Sequence, residues 1–113
     1  MKFEVKKAEL FGWSGVKGLS VNLNKKASFS YIEIDTDIPA RKNKENDRVY
    51  LVVGGKAKFV VSGKNYEIGE RESIFIPKNT EYSYKPVGKL KVLEANFPPF
   101  DLSNEVVMES SDK

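Results

Sequence analysis

The sequence predicts an all-β fold, a barrel or sandwich of short antiparallel strands, and three observations carry that expectation. From about Val21 onwards, runs rich in β-branched and aromatic residues follow one another: SVNL, FSYIEI, RVYLVV, KAKFVV, NYEI, SIFI, EYSY and KLKVLEA. Turn-forming residues separate these runs at short intervals. No long stretch with a 3.6-residue apolar period interrupts the series, so helices have no obvious place. Closing such strands into a barrel removes exposed sheet edges.

The 113 residues suffice for one substantial core, and we expect one domain over residues 1–113. It divides into an N-terminal arm (1–20), the barrel (21–97) and a C-terminal extension (98–113). The arm holds one short strand, FEV, and then FGWSGVKG. A lone tryptophan in such a segment, Trp13, reads as an anchor packing the arm on the barrel or on a second subunit; a ligand platform is the alternative.

Within the barrel region, Gly54-Gly55 between RVYLVV and KAKFVV, and Ser62-Gly63-Lys64-Asn65 between KAKFVV and NYEI, read as two tight hairpins. Alternation turns Lys56 and Lys58 outward and Ala57, Phe59 and Val61 inward. In KLKVLEA it turns Lys89 and Lys91 outward and Leu90, Val92 and Glu94 inward. Glu94 is therefore a candidate interior carboxylate, unless it reaches solvent at the strand end and pairs with a lysine. Tyr50, Val52 and Val60 are left for the outer face, where they suggest a homodimer interface. The alternating charges of KNKENDR (42–48) read as an exposed loop. After Pro98-Pro99-Phe100 the chain turns acidic, and a short helix capped by Asp101 or Ser103 is expected.

Composition narrows the chemistry. There is no cysteine and no histidine, hence no disulfide, no thiolate and no imidazole. The net charge of +3 is spread among interleaved acidic residues, so nucleic acid is not an expected partner. No apolar run approaches the ~20 residues of a membrane span, and the start lacks a secretory signal, so no membrane association and a cytoplasmic location are expected. Abundant lysine and glutamate without histidine, cysteine or glutamine lean towards a thermophilic source.

The segment DRVYLVVGGKAKFVVSGKNYEIGERESIFIPKNTEYSY resembles the cupins, small jelly-roll or double-stranded β-helix barrels, and the resemblance covers about residues 28–96. It rests on Asp47 seven residues before Gly54, the glycine-turned hairpin, the Gly69-Glu70 turn, and the strand-proline-turn-aromatic segment SIFIPKNTEY. The family's usual metal site has two histidines one residue apart, a following glutamate and a lone histidine in the second motif. Carried over residue by residue, the glutamate falls on Asp47 and the last histidine on Tyr82. The first two fall on Arg41 and Asn43, or on Ala40 and Lys42. Two glycines expected in the second motif are Arg71 and Asn79 here; asparagine tolerates positive φ, so Asn79 can keep the turn.

With these ligands replaced, no metal and no other cofactor is expected. Metal-independent cupins similar in fold act as sugar isomerases or epimerases, which the resemblance extends here only through a tyrosine acid, Tyr82 first and Tyr84 or Tyr50 as alternatives, with a Lys or Glu as base. The reading asking least of the residues is a small-molecule (carbohydrate or carboxylate) binding or structural module, with Arg41, Asn43, Asp47, Tyr82, Tyr84 and Glu94 as the candidate polar set. In the structural version, Tyr82 fills the metal-site volume and hydrogen-bonds to Asp47.

Overall fold

The computed structural model describes residues 9–23, 26–99 and 105–107. Among these residues every regular element is a strand: β1 (Glu9–Trp13), β2 (Val16–Leu23), β3 (Ala27–Ile34), β4 (Ile38–Asn43), β5 (Asp47–Val61), β6 (Lys64–Ile68), β7 (Ser73–Ile76), β8 (Tyr82–Phe97) and β9 (Glu105–Val107). All pairings are antiparallel.

Two long strands organise the fold. β5 and β8 pair twice, Asp47–Val52 with Val92–Phe97 and Lys56–Val61 with Tyr82–Val87, and the register shifts between these blocks. Each strand bends at glycine with positive φ, Gly55 at 77° and Gly88 at 74°. A Cβ on Gly55 would lie 2.3 Å from the Lys89 carbonyl oxygen, so only glycine allows the two backbones this close at the bend. The folded ribbon seeds two facing sheets. One runs β1-β2-β3-β8(C-terminal half)-β5(N-terminal half)-β7, the other β9-β4-β8(N-terminal half)-β5(C-terminal half)-β6. Ring contacts from Tyr50 to Phe59 and Tyr84, at 5.6 and 5.4 Å between centroids, bridge the two layers.

This arrangement corrects the expected Gly54-Gly55 hairpin. RVYLVV and KAKFVV are one continuous strand with a bulge, because the chain bends across to the second sheet instead of reversing. Inward positions accordingly switch from Arg48, Tyr50 and Val52 before the bulge to Ala57 and Phe59 after it. Tyr50 and Val52, expected on the outer face, are 2% and 0% exposed. A homodimer would have to use other residues of the outer surface: Phe29, Leu51, Val53, Phe75 and Phe97 are all exposed, as is Val60. The inward assignments of Ala57, Phe59, Leu90, Val92 and Glu94 agree with the structure, and Val61 packs half-buried against the core.

Other expectations fare unevenly. The Ser62-Gly63 hairpin forms, with φ of 49° and 80° matching a two-residue turn of mirror-image type. Asn79 adopts φ 60° and Arg71 φ 70°, so both residues take the left-handed backbone at the two positions where glycine was expected. Lys42 and Asn43, read as loop, complete β4. Residues 9–20 enter the sheet as β1 and part of β2 beside β3. The FEV segment, Asp101 and Ser103 lie outside the described residues, as does the side chain of Trp13. No helix among the described residues is long and apolar enough to cross a membrane.

Candidate ligand-binding site

Cross-strand register sorts the interior into rows. At one end of the first sheet lie Ile34 opposite Leu90, then Ile32–Val92–Val52, all buried and apolar. Two steps along the same strands the rows become polar: Ser30–Glu94–Tyr50 and Ser28–Asn96–Arg48. Every member of both polar rows is buried. Tyr82, 1% exposed, reaches them from the facing sheet.

Arg48 is the hub of this group. Its Nε donates to Asn96 Oδ1 at 2.5 Å and its Nη1 to the Tyr82 hydroxyl. The Tyr82 and Tyr50 hydroxyls lie 2.9 Å apart in a hydrogen bond. Asn96 Nδ2 donates to Glu94 Oε1 at 3.1 Å, while Arg48 Nε stands 3.7 Å from Glu94 Oε2. Beside this network Tyr82, Tyr84 and Phe59 form a run of near-parallel rings, with interplanar angles of 4° and 16°.

Burial pushes the Tyr50 phenol well above its ordinary value near 10, reinforced by Glu94 and the neighbouring phenols against a smaller opposing effect of Arg48. Tyr84 is raised in the same way, chiefly by burial and then by Tyr82 and Glu94; a hydrogen bond with Tyr50 and the charge of Arg41 oppose the shift. Both phenols therefore stay protonated near neutral pH and serve as hydrogen-bonding groups.

The six expected site residues separate. Tyr82, Tyr84 and Glu94 come together in the interior. Arg41 is opposite Tyr82 in the β4–β8 register but half-exposed, with Nε donating to the Pro39 carbonyl at 3.3 Å; it is a rim residue. Asn43 is buried as a turn former, its Oδ1 accepting the backbone N–H groups of Glu45 and Asn46 at 3.1 and 2.7 Å. Asp47 faces away from the network, because Arg48 and Tyr50 take the inward positions of β5. Its Oδ1 accepts the Lys78 N–H at 2.9 Å and so ties β5 to the turn after β7. The expected Tyr82–Asp47 hydrogen bond is thus replaced by Tyr82–Arg48 and Tyr82–Tyr50. Glu94 pairs with Arg48 and not with a surface lysine.

Sequence reading missed Arg48, Asn96, Ser28 and Ser30, and it put Tyr50 on the wrong face. Asn96 was within reach by one further alternation step from Glu94. Away from this group, an open cleft of about 290 Å³ at the apolar end is lined by Gly15, Val16, Lys17, Glu33, Asp35 and Lys89, none of them an expected site residue.

No known family profile and no curated protein matches the sequence. Solved structures do. Pac13 of Streptomyces, a nucleoside dehydratase, superposes with a TM-score of 0.81 at 20% identity over 96% of this chain and 91% of its own. KdgF from a Halomonas species gives 0.78 at 13% identity over 89% and 96%. The cupin domain of Cnp3 from Schizosaccharomyces pombe gives 0.72 at 15% identity over 86% and 73%. The chain has the cupin fold. At these identities the likeness establishes architecture and not activity.

A metal of the kind common in cupins does not fit this interior. The group that meets Tyr82 is a guanidinium, which repels a divalent cation, and the neighbouring donors are two phenols, an amide and one carboxylate. Among the described residues no three acidic side chains converge.

Proposed function

We propose that this cupin-fold protein binds a small polyhydroxylated molecule, a carbohydrate or nucleoside, at the polar end of the barrel interior. The observation that carries the reading is the buried network of Arg48, Glu94, Asn96, Tyr50 and Tyr82 set beside stacked rings. A buried ion pair is a poor stabiliser, since apolar residues of similar volume generally do as well or better by about 1–4 kcal/mol. Stability alone is therefore a weak reason to keep one, whereas ligand recognition needs fixed donors and acceptors on an apolar wall. Pac13 variants in structures with uridine provide a neighbour of the same fold with a ligand of this class.

Binding is favoured over isomerase or epimerase chemistry with Tyr82 as the acid. The Tyr82 hydroxyl is held between Arg48 and the Tyr50 hydroxyl, and no histidine exists in the chain to act as the partner base, so the group is better placed for hydrogen bonding than for proton transfer.

Calorimetric titration and thermal melts with uridine, neutral monosaccharides and a uronate test the proposal. A saturable ligand should stabilise the fold by about 2.7 kcal/mol at a hundredfold excess over Kd. No binding by any of them would leave the network a purely structural core.

A further inference from the structure

The polar network is unevenly satisfied, and the groups with spare hydrogen-bonding capacity are a carboxylate and a neighbouring hydroxyl. Arg48, Asn96, Tyr50 and Tyr82 are hydrogen-bonded through the network, Asn96 both to Arg48 and to Glu94. Glu94 accepts one hydrogen bond, from Asn96, and its other oxygen meets Arg48 only at 3.7 Å, beyond hydrogen-bond reach. A carboxylate offers about four acceptor positions, so about three remain unused on a side chain that is 8% exposed.

Ser30 stands directly opposite Glu94 in the β3–β8 register, on the same inward face, and is 3% exposed. Its hydroxyl makes no hydrogen bond among the described residues. Facing residues of an antiparallel pair place their Cβ atoms about 4.5–5.5 Å apart, so the Ser30 hydroxyl and the Glu94 carboxylate project from neighbouring points of the same inward face. Burying polar groups with spare capacity is costly, and an incoming ligand recovers that cost by completing the hydrogen bonds. Solvent also reaches the network here: Glu94 retains 8% exposure against 0–2% for Arg48, Asn96, Tyr50 and Tyr82.

We infer that Glu94 and Ser30 recognise a vicinal diol, with the carboxylate of Glu94 accepting both hydroxyl protons and Ser30 bonding to one of the two oxygens. The assignment rests on the binding reading above and narrows it. A carboxylate's spare acceptors select O–H donors and reject an anionic group, so the ligand presents neutral hydroxyls at this point. Ribose in a nucleoside and a free pentose share that chemistry.

Titration of the 113-residue chain with uridine, 2′-deoxyuridine, methyl riboside and methyl 2-deoxyriboside separates the sources. Loss of one hydroxyl should weaken binding on the order of tenfold or more, because it leaves a buried acceptor unpaired. If only the uridine pair binds and discriminates, the diol belongs to a nucleoside; if the ribosides bind comparably, the sugar alone suffices. Glu94→Gln should bring the uridine to deoxyuridine ratio close to one. Ser30→Ala, a smaller change with less risk to folding, should weaken uridine several-fold and leave deoxyuridine less affected. Equal affinity of the wild-type protein for hydroxylated and deoxy ligands would overturn the diol assignment while leaving interior binding in place. Failure of all four ligands to bind would overturn the diol assignment, and interior binding would then stand or fall on the monosaccharide and uronate titrations.

Discussion

The two ends of one inner sheet face are built on the same strands in the same register, yet differ completely in chemistry. Ile32, Val92 and Val52 form a row that is apolar and 5% exposed or less. One alternation step further, Ser30, Glu94 and Tyr50 form a row that is also buried, with Glu94 the most exposed at 8%, and rich in hydrogen-bonding groups. A strand rises about 3.3 Å per residue, so about 7 Å separates a hydrophobic core from an ionic one. The difference teaches that the fold is secured by the apolar rows and the interruption at Gly54-Gly55, while the polar rows are an addition the barrel tolerates. The predictions below set one end against the other.

The largest effects should come from truncation, and for different reasons at the two ends. Leu90→Ala at the apolar end, where the side chain is 0% exposed, should cost about 2–5 kcal/mol through lost burial and the remaining cavity. Arg48→Ala should cost about 3–5 kcal/mol, because it strands the buried Glu94 and withdraws the donors to Asn96 and Tyr82. Urea unfolding distinguishes the mechanisms: Arg48→Met should recover little of the loss while Glu94 remains, whereas Leu90→Met should recover most of the loss at the apolar end. Full recovery by Arg48→Met alone would mean that the guanidinium contributes only volume.

Alkaline pH should loosen the polar end selectively. Tyr50 and Tyr84 have folded pKa values raised above their unfolded value near 10, so their contribution is complete below pH 10. Above it the unfolded chain releases protons that the folded chain holds, and stability falls as pH rises. Each group contributes about 1.4 kcal/mol per pH unit in that range, or about 2.7 kcal/mol for the two. Denaturant midpoints measured between pH 9 and 12 should bend downward near 10, and Tyr50→Phe should remove about half of the slope. A wild-type slope no steeper than that of Tyr50→Phe would contradict the burial-driven shift.

Much of the apolar interior was legible in the sequence, because Leu90 and Val92 on one sheet and Ala57 and Phe59 on the other alternate cleanly with lysines. The polar end was only half legible. Glu94 follows from the same alternation, but Arg48 was hidden by the two glycines after Val53. Paired glycines between β-runs suit a hairpin, and the alternative, a bulge that lets β5 continue into the facing sheet, depends on the close passage of β8 at Lys89, which no local pattern reveals. Asp47 was placed at the site by the resemblance to the cupin motif, and Tyr50 was left for the outer face once other residues had been assigned inward. Tyr82 escaped the error, since the segment from Ser73 to Tyr84 carries its own turn at Asn79 and fixes its phase locally.

The smallest expected effect is the most informative about why the two ends differ. Replacing Arg48 by Met together with Glu94 by Leu removes both charges at once, so neither is stranded. If the polar rows serve recognition, the double variant should be as stable as the wild type or gain about 1–4 kcal/mol, because its interior becomes apolar along more of its length. Asn96 then loses both charged partners, which limits the gain and makes a value near the lower end the reasonable expectation. The same variant should bind no polyhydroxylated ligand. Stability and binding would thus move independently, which a purely structural network does not permit. A double variant less stable than the wild type by more than 2 kcal/mol would assign Arg48 and Glu94 to holding the two sheets together, and the contrast between the two ends would then be one of packing chemistry alone.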